Sequence, residues 1–223
     1  MTKKLFILLL SVLFHNLVYS QTQAITEDGD TIYIYNNGTW SYEPQDDMPL
    51  LENDMGFLAD ELQLDTIKGE FFIPKSANKT LKNSRGQFII KYNSALWERV
   101  PPATLNDEAE FALQSKTTDL WCIVISEETE IEASSLFKIA RQTMEDNTGA
   151  TTEIVKSEVR KVNGYDVVRG TLRANLSGIS FMFDTYYFSN ELGSVQFTIW
   201  TGDNIWKKNE KRILELLNGF QVL

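Results

Sequence analysis

The sequence predicts an α+β domain, an antiparallel β-sheet covered by two α-helices and preceded by a small N-terminal β-hairpin. Three observations point there. Four β-type runs between residues 152 and 201 alternate apolar and polar side chains across short turns, the pattern of strands with one buried face. Two stretches, 129–148 and 203–219, instead carry apolar residues at helical spacing. The order of these signals, strands then helix then strands then helix, belongs to α+β architecture rather than to alternating parallel units.

The chain opens Met1-Thr2-Lys3-Lys4, followed by the apolar run Leu5 to Leu13 and then FHNLV. Two lysines, a short apolar stretch and small residues at Val18 and Ser20 form the layout of a secretory signal, expected to be cut after Ser20. The run is broken by His15 and Asn16 and is shorter than the ~20 apolar residues a membrane span needs. No cysteine lies near the cut, so no lipid tether is expected. Localisation is therefore expected to be periplasmic or secreted, with no stable membrane anchor after cleavage.

Residues 21–43 form the hairpin arm. Thr31–Tyr35 and Thr39–Tyr42 flank Asn36-Asn37-Gly38, a strong hairpin turn signal, and Trp40 is the expected packing anchor. This T-x-x-G-x-x-I-x-I-x-x-x-G-T-W-x-Y pattern resembles a short "DGTW-like" element that follows the signal peptide in exported proteins of the Bacteroidetes. Residues 44–65 are rich in Asp and Glu, contain Pro49 and have no Lys or Arg, which reads as an acidic linker. From 66 to 223 the main domain follows. Phe71–Ile73 and Gln87–Tyr92 are short β runs, and Trp97 precedes Pro101-Pro102, a loop or edge signal. Glu110–Ser115 and Leu120–Ser126 read as a hairpin. Thr129-Glu130-Ile131-Glu132 reads as a capping box opening a helix with Leu136, Ile139, Ala140, Thr143 and Met144 on one face, ended by Gly149. Asn163-Gly164 and Ser177-Gly178 then join three strands, and Ser194–Thr201 is a fourth. The last helix is capped by Asp203 or Asn204, carries Trp206, Ile213, Leu214 and Leu217, and stops at Asn218-Gly219, with Phe220 folding back onto the core.

Residues 66–223 resemble the Mog1/PsbP-like superfamily of small exported domains. The resemblance rests on the element order, the "FIIKYNSALW" segment, the helix start at Trp206 and the ending "RILELLNGF". It implies an adaptor or assembly role and supplies no catalytic motif, so no site residue is carried over.

Composition narrows the chemistry. The formal charge of the full chain is −10, and loss of Lys3 and Lys4 with the signal makes it −12, which disfavours nucleic acid and anionic membrane as partners. The single histidine, His15, lies in the signal, so histidine-dependent triads and zinc sites are not expected. No nucleotide-binding glycine loop occurs. Cys122, within the apolar Leu120–Ile125 run, reads as core filler. No catalytic, cofactor-binding or metal residue is therefore assigned. A binding surface is expected from Trp40, Asp184, Tyr186 and Trp200, although alternation also allows Asp184 as an outward polar residue and the aromatics as covered core. The leading reading is a non-enzymatic binding or assembly module of the cell envelope, engaging an envelope protein or small ligand. The alternatives are an exported hydrolase using Asp and Glu alone, and a self-associating structural protein.

Overall fold

A strand that alternates apolar and polar residues buries one face, whereas a strand covered on both sides must be apolar throughout. In this protein helices lie against both faces of the sheet, so residues 165–176 and 179–190 run largely buried on both sides, with the buried Arg169 paired to Asp184 among the apolar residues. The structure is a computed structural model describing residues 62–223 except 177, with the backbone of three short strands between 22 and 41. The chain divides into two compact units, Met1–Asp54 and Met55–Leu223.

In the first unit, β1 (Thr22–Ile25), β2 (Thr31–Ile34) and β3 (Trp40–Ser41) pair antiparallel in the order β1-β2-β3. The expected hairpin is the β2–β3 half of this three-stranded meander. Residues 1–20, 27–30 and 36–38, and residues 44–61 of the expected linker, lie outside the described residues. The end of that linker is part of the second unit: Leu62 and Leu64 pack into an apolar cluster there.

The second unit is built on an eight-stranded sheet of β4 (Asp65–Phe71), β7 (Trp97–Val100), β8 (Phe111–Ser115), β9 (Trp121–Glu127), β10 (Thr151–Val162), β11 (Tyr165–Leu176), β12 (Ile179–Asn190) and β13 (Gly193–Gly202). Its spatial order is β4-β10-β11-β12-β13-β9-β8-β7. All neighbours are antiparallel except β4 and β10, which are parallel, so the sheet is largely rather than wholly antiparallel. Asn163 (φ 47°) and Gly164 (φ 92°) form the two-residue turn between β10 and β11, both in the left-handed region a type I′ hairpin requires. β5 (Lys79–Lys82), β6 (Phe88–Tyr92) and β14 (Phe220–Val222) make a second sheet, ordered β14-β6-β5.

Helix α1 (Ala133–Thr148) follows β9. Its cap is Glu132, whose carboxylate accepts from the backbone N–H groups of Ser134 (3.1 Å) and Ser135 (2.9 Å). The expected Thr129 cap is displaced because the Thr129 carbonyl accepts from Ser194 Oγ at 2.6 Å, holding that residue to the sheet three positions early. The buried positions of α1 are Leu136 and Phe137, with Ala140 beside them, and the helix ends on left-handed Gly149. Helix α2 (Asp203–Leu217) starts after Gly202 with no side-chain cap; Asp203 instead pairs with Lys207 one turn on. It buries Trp206, Ile213, Leu216 and Leu217.

Alternation along β11, β12 and β13 assigns the two helices to opposite faces. Val167, Met182, Tyr186, Phe188, Val195, Phe197 and Ile199 join α2 and the small sheet in the larger core. Val168, Leu172 and Tyr187 join α1 on the other side. Phe220 folds back as expected, with its ring 5.5 Å from Phe88 and 5.6 Å from Phe188. Cys122 is fully buried in the larger core.

Candidate functional site

Helix α1 covers only part of its face of the sheet. Phe137 is seated directly over Gly170 of β11, where an added Cβ would meet the ring at 2.7 Å, and it stacks on Tyr187 of β12 at 5.2 Å. The helix packs on β10, β11 and β12. Beyond it, on β13 and β9, the same face is only half-buried: Gln196, Thr198 and Trp200 on β13, and Trp121, Ile123 and Ile125 on β9. The opposite faces of these two strands, with Phe197, Ile199, Cys122 and Val124, are fully buried.

An aromatic row crosses this half-buried region. Trp200 is the register partner of both Trp121 and Phe183. Its ring lies 6.3 Å from that of Trp121 at 25° and 6.5 Å from that of Phe183 at 16°, so the three rings stack in series across three strands. Rings stacked in this way occupy one another's faces, leaving Trp200 to present its edge. A flat ligand seeking an open ring face is therefore poorly served by this row. Sequence reading singled out Trp200 and missed Trp121. The run Leu120–Ile125 reads as wholly buried, and the signal that separates its faces is the neighbour β13, whose Trp200 shares the Trp121 row.

Asp184 and Tyr186 lie elsewhere, on the α2 face, and neither reaches a surface. Asp184 is fully buried, against the expectation of an outward polar residue. The reason is Arg169 on the adjacent strand, itself 2 % exposed, whose Nε and Nη2 donate to Oδ1 (2.8 Å) and Oδ2 (2.6 Å). Thr171 Oγ1 adds a bond to Oδ1 at 3.3 Å and Trp206 Nε1 one to Oδ2 at 3.4 Å. Arg169 also reaches Glu158 and Glu210 at 3.4 Å, and Lys156 closes on Glu210 at 2.6 Å. Burial works against the Arg169 charge, but the hydrogen bonds it donates to Asp184, with the nearby Asp184 and Glu158 charges, outweigh it and hold the guanidinium protonated. Tyr186 accepts from Arg160 Nη1 (3.1 Å) and donates to Asn218 Oδ1 (2.7 Å); burial pushes its hydroxyl up to about 12. This network therefore fastens α2 to the sheet, and Asp184 has no lone pair left for proton transfer to a substrate.

Trp40 belongs to the first unit, and its side chain lies outside the described residues. Among the described residues no group of three His, Cys, Asp or Glu is placed to hold a metal ion, and no helix is long and apolar enough to cross a membrane.

Taken together, the second unit is an α+β domain whose two helices pack on opposite faces of a largely antiparallel sheet. Several solved structures are similar to it at low identity. Cyanobacterial PsbP from Synechocystis is similar with a TM-score of 0.49 and 12% identity, over 68% of this chain and 95% of that one. The Ran-binding protein Mog1p of Saccharomyces cerevisiae has a TM-score of 0.46 and 10% identity, over 66% and 96%. A protein of Bacteroides thetaiotaomicron has a TM-score of 0.42 and 12% identity, over 66% and 49%. At these identities the likeness is one of fold alone. No protein-family profile matches the sequence, and no curated protein does either.

Proposed function

We propose that this protein is an exported, non-enzymatic binding or assembly module of the cell envelope that engages an apolar protein surface through the half of the sheet beyond α1. The observation that carries this reading is the Trp121–Trp200–Phe183 row, half-buried on one face of strands whose other face is sealed. Full engagement of Asp184 by Arg169 weighs against the carboxylate-hydrolase alternative.

The test compares the full-length gene product with Trp121→Ser/Trp200→Ser, each tagged and expressed in its own host and recovered from the envelope fraction by cross-linking. A specific partner cross-linked by the wild type and lost from the folded variant supports the reading. Equal recovery with both proteins, or no partner with either, overturns it. The amino terminus of the recovered protein tests export: Gln21 is expected first, and an intact Met1 refutes cleavage.

A further inference from the structure

The chain carries a net charge of −10, yet one shallow cleft of the second unit is lined by cations. It lies between the loop around Pro74–Ala77, the end of β6 at Lys91–Asn93 and the last turns of α2. Lys91 and Arg212 face it together, with Glu215 as the single acid. Backbone pairing fixes the Lys91 main chain, whose N–H donates to the Gly219 carbonyl at 2.9 Å, while no partner holds its ammonium among the described residues. Arg212 is anchored through Nη1, which donates to Thr117 Oγ1 at 2.7 Å. Its Nε and Nη2 are without partners among the described residues. That edge is the one with which Arg169 grips Asp184 in the core. Asn93 turns its Oδ1 to the Ala95 N–H at 2.9 Å, which leaves its Nδ2 as a neutral donor.

We propose that this cleft is a binding site for a ligand carrying a single carboxylate, held by Arg212 and Lys91. A guanidinium edge donates two parallel hydrogen bonds to a carboxylate, and the ammonium adds a point charge beside it. Glu215 is drawn toward Lys211, whose Nζ stands 3.9 Å from its Oε1, so it offsets the two cleft cations only in part, and the planar guanidinium edge is what matches a carboxylate. Pro74 and Leu96 supply apolar wall for a short aliphatic stem. The site is separate from the aromatic row and does not depend on the function proposed above.

The test is an amide-shift titration of the ¹⁵N-labelled protein with acetate, with inorganic phosphate, and with an acetylated dipeptide having either a free or an amidated C-terminus. Saturable shifts confined to residues 76–77, 91–93 and 212–216 are expected for acetate and the free-acid peptide, with Kd on the order of millimolar. Tighter binding of the peptide than of acetate identifies a peptide terminus as the source, and equal binding identifies a small carboxylic acid. Lys91→Gln and Arg212→Gln each abolish the shifts, whereas Glu215→Gln tightens binding severalfold. The absence of saturable shifts, their survival in a Lys91→Gln/Arg212→Gln variant, or phosphate binding more tightly than carboxylate overturns the proposal.

Discussion

Arg169 and Asp184 meet through two parallel hydrogen bonds of 2.8 and 2.6 Å with the carboxylate fully removed from solvent. An uncompensated charge in that position is far costlier than the pair itself is beneficial. Asp184→Asn is therefore expected to lose about 3–5 kcal/mol of stability in urea denaturation. Arg169→Met/Asp184→Leu, which removes both charges, recovers part of that loss. Additive effects of the two single changes would contradict this coupling.

Gly170 is the floor on which α1 rests. A methyl group there meets the Phe137 ring at 2.7 Å, so Gly170→Ala must displace the ring or lift the helix. The expected cost is about 1–3 kcal/mol, typical of overpacking. Adding Phe137→Leu relieves the clash and restores part of the stability lost to Gly170→Ala, measured by the same unfolding curves.

Acid sensitivity follows from the carboxylates that are engaged only in the folded state. The hydrogen bond from Lys156, helped by Arg169, holds Glu210 below its ordinary value of 4.5. Glu132 is also lowered: burial raises it, but the bonds from Ser134 and Ser135 outweigh that effect. A group depressed in the folded state stabilises the protein above its unfolded value, and that contribution disappears as pH falls through the folded value. Stability from these groups should be complete above about pH 5.5 and decline below 4.5. Glu210→Gln should make the acid limb shallower; an unchanged pH profile would remove Glu210 from the account.

Cys122 is fully enclosed, and burial pushes its thiol far up. It is expected to stay unreactive toward a thiol reagent in the native protein and to react with one equivalent once guanidinium unfolds the chain. Rapid labelling of the native state would show that the β9 interior opens readily.

Local patterns carried much of the architecture. Asn163-Gly164 marks its own turn because few other residue pairs accept two left-handed conformations, and the spacing of Trp206, Ile213 and Leu217 marks a helix face. The capping residue of α1 was less legible. Thr129 and Glu132 both suit a cap, and the choice was made by Ser194, 65 residues away from Thr129. The parallel pairing of β4 with β10 has no local signal at all, since it joins segments separated by most of the domain.

By itself, the sequence determined the two helices and the strands β8 to β13, because turn chemistry and side-chain periodicity act between near neighbours; the strand expected at Phe71–Ile73 is instead Asp65–Phe71, and β5, β7 and β14 carry no such local signal. Only the tertiary structure decided what each face meets. Asp184 looks like an outward residue on an alternating strand, yet it is buried because Arg169 on β11 lies within hydrogen-bonding reach and α2 closes over both. Trp121 looks like core, yet it stands in a half-buried row because α1 covers β10, β11 and β12 and leaves β13 and β9 beyond it. Burial is a property of the partner as much as of the residue, and the partners here come from distant parts of the chain.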